Sequence, residues 1–260
     1  WGGAGGGGGA GWCAGSLRRR AAPLQVRGRL ERWVESFVAS EGVGGESHAG
    51  ESFARRLAAV AEDMAAAGAT APLDRILRGM GDVWVPSAEE SGRELFNLAT
   101  QPRLLRVLAR ILGPELSFQR GLCRPKLPEL PHSAFPLHQD SQYFDTNSPQ
   151  SVDGRVDPGF EPSTADMHIV SIWLPLVDTT SDAAGGLKVI PQSQSWGLQA
   201  GQRDEISNMR SDAEPELRAP AVSVPTRVGD CVLFSNLTYH VRTNHQPKNA
   251  PTLFACRFQE

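Results

Sequence analysis

The 260-residue chain has few residues of several kinds: four cysteines, four methionines and two tyrosines. Cys13, Cys123, Cys231 and Cys256 show neither CxxC spacing nor the density of a secreted scaffold, so reduced thiols in an intracellular compartment are the default. No apolar run suits a bilayer, because the longest, Met167 to Val177, is about half the length a spanning helix needs. Acids are missing from residues 1–30, which carry five arginines, and the remainder is then net −8. An acidic body argues against nucleic acid, which wants a basic face. There is no GxSxG elbow, and GGAGGGGG precedes no strand-to-helix unit, which excludes a nucleophile elbow and a dinucleotide fingerprint.

What is abundant is glycine at the start. Nine of the 27 glycines fall within the first fifteen residues, a stretch unable to bury enough apolar surface to offset its own ordering entropy. Residues 1–23 are therefore expected to be a disordered Gly/Arg-rich head and 24–260 a single domain. The head is Arg-rich and acid-poor like a transit peptide, yet it begins with Trp1 and not methionine, so a fragment is expected. Localisation is then cytoplasmic by default, with an organelle left open.

Residues 24–114 have a helical pattern. Leu30, Trp33, Val34 and Phe37 recur at spacings of three and four with charges opposite, and SFARRLAAVAEDMAAAGA repeats the pattern up to Gly68. A third segment opens on Ser87 with Glu90 in a capping-box pattern, breaks or kinks at Pro102 and closes on Gly113-Pro114. Over residues 115–260 the pattern turns to short β-type runs separated by Pro, Gly, Asn and Asp. Helices followed by strands predict an α+β fold, with a helical layer on an antiparallel sandwich or jelly roll. Asn147 to Asp166 and Ser195 to Pro220 are polar insertions long enough to be candidate lids or site loops.

The chemistry concentrates at Leu137-His138-Gln139-Asp140. In an extended strand, residues two apart share a face, so His138 and Asp140 would present an imidazole and a carboxylate together. A second imidazole is available from His240, at the end of the β run GDCVLFSNLTYH. Two histidines and one carboxylate form the facial set used by non-haem Fe(II) oxygenases, which leaves coordination positions open. His48, His132, His168 and His245 have no partner at ligand spacing or sit in turn-like sequence. Tyr143 fits either a pocket wall or a core aromatic.

The order PLHQDSQYF, HIVSIWLPLVD, GGLKVIP, GDCVLFSNLTYH, preceded by LATQPRLLRVLARILGPELSF, resembles the phytanoyl-CoA dioxygenase family over about Leu24 to Phe258. The resemblance implies a double-stranded β-helix, a cupin-like barrel, that binds Fe(II) and 2-oxoglutarate. Such enzymes use O₂ to hydroxylate an unactivated carbon of a small organic or acyl substrate and release succinate and CO₂, with ascorbate as a candidate reductant. Matched residue by residue, His138, Asp140 and His240 are the metal ligands, and Trp173 lines the 2-oxoglutarate pocket or packs in the core. An acid at Asp140, where related halogenases carry a small residue, favours oxygen transfer to carbon.

The chain departs from the family pattern at two places. Pro191-Gln192-Ser193-Gln194-Ser195 stands where PGSH is usual, and Pro251 occupies the position, eleven after the distal histidine, where an arginine holds the far carboxylate of 2-oxoglutarate. Proline cannot replace a bidentate guanidinium. Arg242 shares strand parity with His240 and is the favoured substitute; Arg257 has the parity of the missing arginine but lies further along, and Lys248 sits between. Two alternatives remain open. One is a jelly-roll binding module that has lost 2-oxoglutarate turnover, and the other a cupin-type isomerase or hydrolase that needs none. The expected partners are a small molecule and O₂, with no nucleic acid and no membrane span. Arg120, Arg124 and Lys126 are the basic residues placed to contribute to acyl-CoA binding.

Overall fold

A computed structural model describes residues 12–16, 21–41, 48–69, 93–125, 135–146, 155–156, 163–180, 186–204, 209–242 and 252–259. Among the described residues, four helices come early: α1 (Ala21–Glu41), α2 (Phe53–Ala66), α3 (Arg93–Ala99) and α4 (Pro102–Leu112). Each buries the stripe its periodicity marks, Val26, Leu30, Val34 and Phe37 in α1 and Leu104, Leu108 and Leu112 in α4. Ser52 caps α2 by accepting from the Arg55 amide at 3.4 Å. Just past the end of α2, Gly68 takes a left-handed φ of 68° that a side chain would strain. Pro102 does not kink one long helix. It opens α4, where its missing N–H has no intrahelical partner to lose. The capping pair expected at Ser87 and Glu90 lies outside the described residues.

Among the described residues, twelve strands follow the antiparallel plan expected of the second part, with one addition from the first. They are β1 (Trp12–Ser16), β2 (Ser117–Pro125), β3 (Phe135–His138), β4 (Arg155–Val156), β5 (Ile169–Pro175), β6 (Leu187–Val189), β7 (Gly201–Arg203), β8 (Met209–Ser211), β9 (Val222–Val224), β10 (Asp230–Ser235), β11 (His240–Arg242) and β12 (Thr252–Gln259). A five-stranded sheet runs β1-β10-β5-β12-β2, a four-stranded sheet β3-β11-β6-β9, and a small one β4-β7-β8. Two further helices, α5 (Asp140–Thr146) and α6 (Pro215–Arg218), lie among the strands.

The five-stranded sheet has a different layer on each face. Val170, Ile172 and Leu174 of β5, with Cys231 and Leu233 of β10, pack in one cluster with the four early helices. The alternate residues Trp173, Val232 and Phe234 meet Leu187, Val189 and Val224 of the four-stranded sheet. β5 is buried along its whole length because it separates these two cores. This is the α+β arrangement expected, a helical layer against one of two opposed antiparallel sheets.

The head departs from expectation. Trp12–Ser16 pairs antiparallel with β10 in the register Trp12↔Phe234 to Ser16↔Asp230, and α1 begins at Ala21 rather than Leu24. Low-complexity glycine precedes this segment, but WCAGS itself carries a tryptophan and a cysteine that pack against the two cores, and pairing with β10 satisfies backbone groups along one edge.

Candidate metal centre

His138 ends β3, and Asp140 does not continue the strand: it is the first residue of α5. The face-parity reasoning for the HxD pair is thus corrected. The two side chains still converge, because the turn at Gln139 folds the helix start back toward the strand end. His240 opens β11 and lies directly opposite His138 in the ladder.

His138 Nε2 is 3.9 Å and His240 Nε2 3.8 Å from Asp140 Oδ1. One ligand atom from each residue lies within 4.8 Å of the others, and all three side chains are buried. Among the described residues these form the group of metal-binding side chains close enough to share an ion. Both imidazoles are oriented from behind: His138 Nδ1 is 2.7 Å from the Pro136 carbonyl, and His240 Nδ1 is 3.0 Å from that of Thr238. A carbonyl only accepts, so each Nδ1 carries the proton and each Nε2 turns its lone pair inward. Ser171 Oγ donates to Asp140 Oδ2, leaving Oδ1 toward the imidazoles. Two neutral imidazole nitrogens and one carboxylate oxygen suit a divalent first-row transition metal.

The rest of α5 is held by side chains that no motif marked. Gln139 is fully buried; its Nε2 donates to Gly197 and Leu237 carbonyls, both at 2.8 Å, and its Oε1 accepts from the Gln199 amide at 2.8 Å. Gln142 accepts from the Gln139 amide at 2.9 Å and donates to the Gln199 carbonyl at 2.9 Å and the Ala200 carbonyl at 3.3 Å. Asn236 Nδ2 donates to Ser141 Oγ at 2.6 Å, and Asp145 accepts from Ser163 and Thr164 hydroxyls at 2.6 and 2.8 Å. The stretch Ser195 to Pro220, expected as a candidate lid, therefore includes the strands β7 and β8 and is bonded to the metal-bearing helix. Of the other candidate insertion, Asn147 to Asp166, the described part holds β4 and a 3-10 turn at Thr164–Asp166.

Tyr143 stands edge-on to His138 with ring centroids 4.9 Å apart, and its hydroxyl accepts from the Met209 amide at 2.7 Å. Burial pushes that hydroxyl up to about 12. Phe234 packs on the other imidazole, 4.6 Å from the His240 ring. Trp173 is completely buried in the cluster between the sheets, two residues from Ser171 on the same face. Arg242 takes the register position opposite Leu187, and Arg257 the position opposite Ser171. Lys248 and Pro251 lie outside the described residues, as do His132 and His245. His48 is 2.7 Å from Asp63 on the helical side.

Signals for some of the unmarked residues do exist. Ser171 is the polar residue within the apolar run, in phase with Trp173, and a buried hydroxyl needs a partner. Nothing in the pattern distinguishes Gln139 or Gln142 from surface glutamines.

The chain is similar in fold to several solved structures. EvdO2 from Micromonospora carbonacea var. aurantiaca, complexed with 2-oxoglutarate, superposes with a TM-score of 0.57 at 17% identity, covering 97% of this chain and 87% of that one. The epimerase SnoN, in complex with Fe3+, alpha ketoglutarate and nogalamycin RO, gives 0.53 at 16% identity, with 97% and 80% covered. AviO1 from Streptomyces viridochromogenes Tue57 gives 0.51 at 16% identity, with 96% and 90% covered. A search of curated protein sequences finds no match. The family model described as phytanoyl-CoA dioxygenase matches residues 49–245, a span that contains His138, Asp140 and His240, and the chain belongs to that family.

Proposed function

We propose that this oxidoreductase is an Fe(II)- and 2-oxoglutarate-dependent dioxygenase that hydroxylates a small organic or acyl substrate, built on a double-stranded β-helix. The observation that carries this reading is the buried convergence of one ligand atom each from His138, Asp140 and His240 within 4.8 Å. Neutral imidazoles and a carboxylate fit Fe(II), and SnoN and EvdO2, which share the fold, have been crystallised with 2-oxoglutarate. Bound there, the iron and its keto-acid co-substrate would supply the O₂-dependent oxidation.

The chain's own residues would do the positioning. The Pro136 and Thr238 carbonyls hold the imidazole tautomers, and Ser171 restrains one oxygen of Asp140 so that the other faces the ion. Phe234, Trp173 and Val232 form an apolar wall that keeps water scarce. For the far carboxylate of 2-oxoglutarate, Arg242 is the proposed cation in place of the family arginine. It lies two residues after His240 in β11 and takes the register position opposite Leu187. Arg257, opposite Ser171, is the second candidate.

The test is anaerobic binding of 2-oxoglutarate to the iron-loaded protein, followed by succinate release on admitting O₂. Wild type should do both, Asp140→Ala and His240→Ala neither, and Arg242→Ala should bind the keto acid at least about tenfold more weakly. Turnover that survives loss of Asp140 or His240 would remove the triad from the chemistry. Arg257→Ala weakening binding while Arg242→Ala does not would transfer the carboxylate role to Arg257.

A further inference from the structure

The two flanks of the imidazole pair differ in chemistry. The His138 and His240 rings lie 4.3 Å apart between centroids, and against His240 stands Phe234, at 4.6 Å, a member of the apolar cluster between the sheets. Against His138 stands Tyr143, at 4.9 Å, and over the Tyr143 ring lies a cation: the guanidinium carbon of Arg203 is 5.1 Å from its centroid. Arg203 ends β7, inside the polar insertion whose length marked it as a site loop. Along that strand Gly201 is buried and Gln202 exposed, and alternation puts Arg203 on the face of Gly201, where a Cβ would meet Gln142 of α5. The ring is held from two sides, since the Tyr143 hydroxyl accepts from the Met209 amide at 2.7 Å and Arg203 Nη2 donates to the Tyr143 carbonyl at 3.3 Å. Asp204, the acid next in the chain, is paired with Arg210 at 3.3 Å.

We propose that Arg203, resting on Tyr143, determines substrate specificity at this centre by taking the carboxylate or phosphate of an organic anion whose apolar body reaches toward the metal ligands. This rests on the reading of the site as a dioxygenase centre and names the substrate class it would accept. Phe234 closes one flank at 5% exposure, whereas Arg203 on the other is half-buried, so a ligand reaches the imidazoles past the arginine and not past the phenylalanine. A guanidinium stays charged at any working pH, and its fork of five donors can keep one bond to a carbonyl while gripping two oxygens of an anion. Such charge-assisted pairs are roughly twice as strong as neutral hydrogen bonds, and more so where ring and strand already exclude water. The chain beyond residue 30 is net acidic, so an anion approaching without a fixed cation would meet a repelling field.

The test uses the Zn(II)-loaded full chain with excess 2-oxoglutarate, whose binding is followed first by calorimetry, and three probes of one shape: phenylbutyrate, phenylbutyl phosphate and phenylbutanol. Wild type should bind one of the two anions at least about tenfold more tightly than the alcohol, and the anion it prefers names the head group. Arg203→Gln should remove that preference, and Arg203→Lys, which keeps the charge without the fork, should retain part of it. Arg210→Gln, on the exposed face of the same small sheet, should leave the ratio within about twofold. An arginine that only pins β7 to α5 would move the melting temperature and not this ratio. Equal wild-type affinity for anions and alcohol, or a preference that survives in Arg203→Gln, overturns the proposal, and 2-oxoglutarate binding in the same samples leaves the dioxygenase reading intact. An Arg203-dependent preference without 2-oxoglutarate binding keeps the anion site and overturns the dioxygenase reading, and failure of both overturns both. The wild-type ranking needs no substitution, so a misfolded variant does not decide the outcome.

Discussion

Replacing Ser171 by alanine removes one hydroxyl and leaves the β5 backbone as it is. In the folded protein that hydroxyl donates to Asp140 Oδ2, both residues are buried, and Oδ1 is the oxygen facing His138 and His240. A hydrogen bond from a neutral donor to a charged acceptor contributes about 1.5–3 kcal/mol. If that stabilisation serves to aim the carboxylate, its loss should appear as an affinity loss of roughly 10- to 100-fold for a divalent metal, the size found when outer partners of metal ligands are removed. The assay is an anaerobic titration with Fe(II) or Co(II), paired with a thermal melt of the metal-free protein. Ser171→Thr keeps the hydroxyl and should restore most of the affinity. Wild-type affinity in the alanine variant, with or without a lower melting temperature, would refute the reasoning and reduce Ser171 to a packing residue.

Further outcomes follow from the same geometry. Gln142→Leu removes the bonds from α5 to Gln199 and Ala200 and takes the partner from the Gln199 carbonyl and the Gln139 amide, so the urea midpoint should fall by the equivalent of about 2–4 kcal/mol. Gly201→Ala should destabilise by about 1–3 kcal/mol in the same assay, since a Cβ there would meet the Arg210 carbonyl at 2.8 Å and Gln142 Nε2 at 2.9 Å. Burial pushes the Cys231 thiol up to about 12 from 9.0, so the folded state favours the protonated form. The stability this contributes is complete below pH 9 and is lost as pH rises from 9 toward 12; Cys231→Ala should flatten that fall in denaturant midpoints, and an unchanged slope would count against it.

The helical layer was legible because its faces repeat every three to four residues and each stripe has a buried counterpart, as in Leu104, Leu108 and Leu112. The candidate ligands were legible because imidazole and carboxylate are scarce among strands, although the reason given for their meeting was wrong. Strand alternation would have aligned His138 with Asp140, whereas a turn into α5 does so. Composition hid β1, since averaging over the glycine head diluted the two residues, Trp12 and Cys13, that give five-residue WCAGS its packing. The glutamine brackets were not readable at all. Their partners are main-chain carbonyls and an amide nearly sixty to a hundred residues away, and a backbone group leaves no mark in the sequence.

The order of the five-stranded sheet bears on how the protein is made. β1 leaves the ribosome before the other described strands, yet its partner β10 lies more than two hundred residues later in the chain. The loop-closure cost of that pairing grows only logarithmically with length, so it is no thermodynamic obstacle. Kinetically it makes β1 one of the last pieces to dock, because local helices form long before such distant contacts. Until then the open edge of β10 exposes unpaired backbone to other chains, and the cleft between the sheets lacks one of its walls. A nascent protein would therefore acquire its fold in two stages, with the cleft between the sheets closed by a strand made long before its partner.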